Sequence, residues 1–244
     1  MEIEAQKLAD YVNEHPQLLN FLERLEIKLG FGDKTIKQVC DENKIPVLFF
    51  VELMLLIIRK YEFNPKYINE FQPRHTIGYL RNSHRSYTEE YLFELESLIG
   101  SLKKTEKARV ADCNLLAKYF NDYKDEFLKH IQYEDRNVFP CIIELEKVFA
   151  AGSSNIEASV KKIKFRIHDY INIHDSLDEK LNDLKNLIIK YFRPFSDTKT
   201  VRGLLKLLFE LEEDLQLHEL IENHILFPQA KIMEDNLIGW KSKK

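Results

Sequence analysis

The sequence is short of turn formers: its 244 residues include only seven glycines and seven prolines, where average usage would supply roughly 17 and 12. With many Leu, Lys and Glu, that scarcity argues for long helices and against a many-stranded sandwich or barrel. Cysteine is scarcer still. Cys40, Cys113 and Cys141 are far apart and odd in number, which excludes a disulfide framework and any Cys-x-x-Cys zinc or redox site. Long hydrophobic runs are also missing. The most apolar stretch, Val47 to Ile58, carries Glu52 and falls well short of the about 20 residues that span a bilayer. It reads as a buried helix or a partner-binding face, not a membrane segment. Neither sign of charge dominates: the net charge is −4 and the pI near 6.1, which leaves no footprint for nucleic acid. No Gly-rich loop follows a strand pattern, so no nucleotide site is expected. No Ser/His/Asp or Cys/His nucleophile arrangement is readable either. The opening MEIEAQKLADYVNEHPQ is acidic and polar, without the apolar core of a leader, and a cytoplasmic, reducing home is the expectation.

What is present is helical periodicity. Residues 1–66 read as a small N-terminal domain of short helices. The first covers Ile3 to His15 and stops before Pro16; the second covers Gln17 to Lys28 and ends at Leu29-Gly30-Phe31-Gly32, where glycine tolerates the left-handed cap. Asp33 or Thr35 caps a third, and Pro46 opens a fourth. Tyr61 to Pro73 reads as a linker. Residues 67–244 hold four long amphipathic segments, near 74–100, 105–149, 155–192 and 197–236, separated by Gly100, Gly152-Ser153-Ser154 and Pro194. Apolar residues recur at spacings of three and four in each, for example Ile77, Leu80, Tyr87, Tyr91 and Leu95 in the first. The fold class expected is all-α: an up-down-up-down four-helix bundle preceded by a small helical domain.

Six positions break those stripes. His84, His130, Glu134, His174, His218 and Glu222 each stand where an apolar core residue is expected. Four imidazoles and two carboxylates inside a bundle are costly unless they are paired or hold a cation. His130 and Glu134 are four apart, as are His218 and Glu222, so each pair lies on one helix face, one turn apart. The two blocks also repeat. HIQYEDRNVFP (His130 to Pro140) and HELIENHILFP (His218 to Pro228) share H-x-x-x-E-x-x-x-x-F-P at an offset of 218 − 130 = 88, and the single histidines are offset by 174 − 84 = 90. A bundle arranges such a repeat about a pseudo-twofold axis, with two equivalent cations each held by two His and both bridged by the two Glu. At about 100° per residue, His75 lies half a turn from His84, and His168 and His224 lie about a third of a turn from His174 and His218. Those three fall to the surface or behind the ligands, and His15 belongs to the N-terminal domain.

Imidazole and carboxylate without thiolate suit iron, manganese or zinc, and two carboxylates in a helical bundle suit a di-metal site. Two ferrous ions with two glutamates carry the same net charge as two ferric ions with two glutamates and an oxide bridge, so a redox-active pair avoids a large desolvation penalty. The segments HIQYEDRNVFP, IHDSLDEKLNDL and HELIENHILFPQA resemble the hemerythrin-type HHE cation-binding bundle. They are closer to the di-iron iron–sulfur cluster repair family, and the resemblance covers most of residues 70–230. It implies two non-haem iron ions, carboxylate-bridged and oxo- or hydroxo-bridged when oxidised, with His84, His130, His174 and His218 as terminal ligands and Glu134 and Glu222 bridging. Oxygen-carrying members have a second His four residues before the third-helix ligand; here that position is Tyr170, which leaves coordination room for a small ligand.

KLADYVNEHPQLLNFLERLEIKL and TIKQVCDENKI are similar to the domain that precedes the bundle in that family. The family's Cys-Cys-Gly-Gly segment is replaced by Leu29-Gly30-Phe31-Gly32, so a role that needs the cysteine pair does not carry over. The resemblance implies a stress-response protein that restores iron–sulfur clusters by delivering iron or by reducing nitric oxide. The alternative is an oxygen or nitric-oxide binding or sensing protein without turnover. A diatomic ligand (oxygen or nitric oxide), iron–sulfur protein partners and a homodimer through the N-terminal domain are the partners implied, with no nucleic acid and no membrane.

Overall fold

The computed structural model describes residues 2–59, 65–68, 70–151, 170 and 178–241. Among these residues the chain is helical, with no strand beyond one isolated bridge between Lys7 and Thr35. It forms two compact units: Met1–Asn82, Phe139–His168 and Leu217–Lys244 in one, Ser83–Val138 and Asp169–Gln216 in the other.

In the first unit, the helix expected from Ile3 to His15 is two pieces, a 3-10 turn at Ile3–Ala5 and α1 at Leu8–Glu14. The break has a cause. Gln6 C=O accepts from Ile36 N–H (2.9 Å) and Leu8 N–H donates to Lys34 C=O (3.2 Å), so this backbone pairs with the segment before α3 instead of continuing its own helix. Helix α2 (Leu18–Arg24) ends earlier than the glycines suggest. Glu26 takes the left-handed conformation (φ 59°), and Ile27 N–H and Glu26 N–H bond back to Leu22 C=O and Glu23 C=O at 2.9 and 2.8 Å, closing the terminal carbonyls. Gly30 and Gly32 also have positive φ, but in the loop beyond the cap. Thr35 caps α3 (Ile36–Asn43) through a capping box with Gln38.

Pro46 immediately precedes α4 (Val47–Arg59). That apolar helix is buried on most sides: Phe49, Phe50, Leu53, Met54, Leu56 and Ile57 are all core residues. The run is therefore a core helix, and among the described residues no helix is long and apolar enough to cross a membrane. Part of the expected linker is anchored. Phe71 is buried, and the Gln229 amide donates to the carbonyls of Ile68 and Phe71 at 2.5 and 2.9 Å. Pro73 then supplies the first residue of α5 (Pro73–Ser86). Buried Arg24 joins α2 to α5: its guanidinium contacts the Tyr79 hydroxyl (3.4 Å), and its carbonyl accepts from Asn82 (2.6 Å).

The second unit contains segments of all four long helices. After α5 the first continues through a wide, π-type turn at Tyr87–Tyr91 into α6 (Leu92–Thr105), so Gly100 lies inside the helix and does not end it. The second is α7 (Val110–Tyr133), a wide turn at Glu134–Val138, and α8 (Phe139–Ala150). Of the third, the structure describes Tyr170 and α9 (Asp178–Asn186), followed by a wide turn at Leu187–Tyr191. The fourth is α10 (Thr198–Ile221), a wide turn at Glu222–Leu226, and α11 (Phe227–Lys241).

Leu95, Ile99, Leu116, Phe120, Tyr123, Phe127, Leu181, Leu184, Leu204, Leu208 and Leu211 form one core inside the second unit, the apolar stripes the periodicity predicts. At one end of it two interhelical connections meet, the one between the first and second helices and the one between the third and fourth. The buried Glu106 carboxylate accepts from Asp197 N–H (2.7 Å), and the Arg109 guanidinium lies 4.1 Å from the centre of the Phe195 ring. Connections joined at one end require the first and third segments to run one way and the second and fourth the other, the alternation of an up-down-up-down bundle.

Candidate metal centre

Within the second unit, three of the predicted residues come together. His84 sits in the last turn of α5, and the wide turn that follows leaves its carbonyl to be satisfied by the Thr88 hydroxyl at 2.9 Å. His130 is in the last turn of α7, and Glu134 begins the next wide turn. His84 Nε2 and His130 Nε2 both face one oxygen, Glu134 Oε2, at 3.3 and 3.5 Å. Glu134 is fully buried and His84 nearly so, while His130 keeps about a quarter of its side chain exposed. Ionised carboxylates are almost never buried without a compensating cation or donors. Two imidazole nitrogens and a carboxylate oxygen, with no thiolate, are a donor set that fits iron, manganese or zinc.

Two residues without a predicted ligand role complete the cluster. Tyr170, seen in the sequence only as the place of a missing histidine, donates its hydroxyl to Glu134 Oε1 at 2.9 Å. Its ring stacks on Tyr133 with centroids 5.7 Å apart. Asp135 places Oδ1 3.3 Å from His84 Nδ1, on the side of the imidazole opposite Glu134. The sequence signal for Asp135 was its position beside the motif glutamate. For Tyr170 it was a polar tip on an otherwise apolar stripe. Burial alone would push His84 down; the contacts with Asp135 and Glu134 and their negative charges outweigh it and raise it from 6.5 to about 9.

In the first unit, His218 in the last turn of α10 places Nε2 3.4 Å from Oε1 of Glu222, which starts the next wide turn, and both side chains are buried. His174 lies outside the described residues, as does His168. His224 is exposed, and half-buried His75 packs against Phe49 with ring centroids 5.8 Å apart. Burial and the neighbouring Arg74 hold His75 below its ordinary value. The three cysteines are free thiols, none of them in either cluster; burial pushes Cys40 up to about 12 and Cys141 to about 11.

Comparison with known families matches residues 75–230 to the hemerythrin HHE cation binding domain. Among curated proteins, the iron-sulfur cluster repair protein ScdA of Staphylococcus epidermidis is 26% identical over 167 residues, 68% of this chain and 69% of its own length. The ScdA of Staphylococcus haemolyticus is 24% identical over 151 residues, 62% and 64% of the two chains. The iron-sulfur cluster repair protein YtfE of Cronobacter sakazakii is 28% identical over 147 residues, 59% and 61% of the two chains.

Proposed function

The match spans well over half of the sequence, so the chain belongs to the hemerythrin HHE cation-binding family, and from that premise we propose that it is a di-iron protein of the iron–sulfur cluster repair type, acting under nitrosative or oxidative stress. The observation that carries this reading is the convergence of His84 Nε2 and His130 Nε2 on one oxygen of a fully buried Glu134. The repeat of that His–Glu pair as His218 and Glu222 supports a second ion. His84, His130, His174 and His218 would be terminal ligands, and Glu134 and Glu222 would bridge. Bound iron would supply a deliverable ion and one-electron reducing equivalents for a diatomic ligand.

The chain's own residues determine how well that ion is held. Glu134 and Glu222 offset part of the ions' charge in a site that excludes most water. His130, partly exposed, offers the route by which an ion or a small ligand enters and leaves. The staphylococcal and Cronobacter relatives are iron-sulfur cluster repair proteins, which favours repair over simple oxygen carriage. Three free thiols suit a reducing cytoplasm. Iron–sulfur proteins would be the recipients, and residues 1–66, without the family's cysteine pair, would serve as a contact region and support a homodimer.

Anaerobic reconstitution of the full chain with ferrous iron tests the reading. The expected result is about two irons per chain, one for each His–Glu pair, with iron transferred to an apo-cluster acceptor or nitric oxide consumed. Failure to bind iron sinks the metal reading. Two bound irons with neither transfer nor consumption sink the repair reading and leave the sensor. Glu134→Ala should abolish loading of both ions; retention of both would refute bridging.

A further inference from the structure

We propose that Asp135 and Tyr170 are positioning residues that make the two halves of the metal site unequal, so that the first ion loads on His84, His130 and Glu134. The inference rests on the metal reading above and goes beyond it. Asp135 Oδ1 stands 3.3 Å from His84 Nδ1 while Glu134 Oε2 stands 3.3 Å from His84 Nε2. A carboxylate on Nδ1 keeps the proton on that nitrogen, so that a cation meets His84 at Nε2, and it makes Nε2 more basic. Tyr170 acts on the other partner. Its hydroxyl holds Glu134 Oε1 at 2.9 Å, so the remaining oxygen, Oε2, is the one presented to both imidazoles. These two contacts set the orientation of His84 and Glu134 before any ion arrives, and pre-organisation of this kind strengthens binding by removing ordering cost.

The internal repeat supplies the control. Shifted by the 88-residue offset of the motif, Asp135 corresponds to Asn223; shifted by the 90-residue offset of the single histidines, Tyr170 corresponds to Leu80. Asn223, beside the second motif glutamate, is therefore an amide where Asp135 is a carboxylate, and Leu80, in the first helix, is apolar where Tyr170, in the third, carries a phenol. The His–Glu ligands repeat and their supports do not. Tyr170 also occupies the very oxygen, Oε1, that Glu134 would extend to a second ion, so the contact that strengthens the first step weakens the second.

The test is a titration of the metal-free full chain with cobalt(II) alone, followed by its absorption bands, with Asp135→Ala, Asp135→Asn and Tyr170→Phe beside the wild type. The wild type should bind two ions in two resolved steps. Asp135→Ala should weaken the first step by about 10–100-fold, the usual effect of losing a carboxylate behind a histidine ligand. Asp135→Asn, which keeps an oxygen acceptor, should recover part of that loss. Tyr170→Phe keeps the ring stacked on Tyr133 and removes only the hydroxyl; it should narrow the interval between the steps. Urea midpoints of the metal-free variants check that each is folded. A chain that binds no cobalt overturns the metal reading and this inference with it. Two ions bound at one common affinity, or two steps whose interval is the same in all four proteins, overturn this inference alone.

Discussion

The metal-free protein should lose stability as pH rises through the neutral range, and His84 is the reason. Its side chain is 3% exposed, and its ionisation is raised from 6.5 to about 9 by Asp135 and Glu134 against the opposing effect of burial. A histidine held above its unfolded value is protonated in both states below pH 6.5, where the contribution is complete. Between 6.5 and about 9 the folded chain keeps a proton that the unfolded chain has released, and each pH unit removes up to about 1.4 kcal/mol. Above that range both states are neutral and nothing remains. The full interval is worth about 3 kcal/mol, a large part of the total stability of an ordinary domain.

The assay is urea unfolding in the presence of a chelator at a series of pH values across that window. With a denaturant slope of about 2 kcal/mol per molar, the midpoint should fall by about 1–2 M from the acid to the alkaline end. Asp135→Ala should reduce the fall, and His84→Gln should remove it. A wild-type midpoint that stays constant across the window, or falls equally in His84→Gln, would refute the reasoning. Bound metal should flatten the dependence, because an ion occupies the place the proton holds and binding releases it.

Two further outcomes check the frame around the site. Phe120 is 1% exposed in the core of the second unit, and Phe120→Ala should cost about 3–5 kcal/mol by the same urea measurement; a loss under about 1 kcal/mol would mean that this core is not packed as described. With their thiols pushed up to about 12 and about 11, Cys40 and Cys141 should resist iodoacetamide in the native protein near neutral pH and react after unfolding. Mass spectrometry that finds Cys40 rapidly alkylated in the folded chain would contradict its burial.

Much of this molecule was legible in its sequence because the signals were periodic and local. The Thr35 cap, the start of α4 after Pro46 and the apolar stripes of the second unit follow from residue type and spacing alone. The pairing of His130 with Glu134 and of His218 with Glu222 follows from one helical turn. What escaped depended on other parts of the chain. The break at Gln6–Lys7 arises because that backbone pairs with Lys34 and Ile36, and no local propensity announces it. Glu26 takes a left-handed cap that residue statistics assign to the nearby glycines. Asp135 and Tyr170 acquire roles only when α5, the turn after α7 and the third helix supply their partners, 51 residues (135 − 84) and 36 residues (170 − 134) away along the chain.

The wide turns are the most instructive case, because the repeated motif encodes them along with its histidine and glutamate. Glu134 and Glu222 each open a π-type turn, Glu134–Val138 and Glu222–Leu226, and each turn is followed at once by Phe-Pro. A proline inside a helix has no N–H to donate and its ring collides with the carbonyl four residues back. Widening the preceding turn moves that carbonyl aside, and in the second copy Phe227 N–H bonds to Glu222 C=O, five residues back, in place of the usual four. Pro140 and Pro228 therefore do not end their helices; α8 and α11 continue past them. The extra residue in each turn also shifts the helical phase by about 100°, so the apolar face before the glutamate and the one after it point in different directions. In H-x-x-x-E-x-x-x-x-F-P, the histidine and glutamate are the proposed ligands, and the proline falls just after the wide turn that the glutamate begins. Wide turns of this kind are frequent at functional sites.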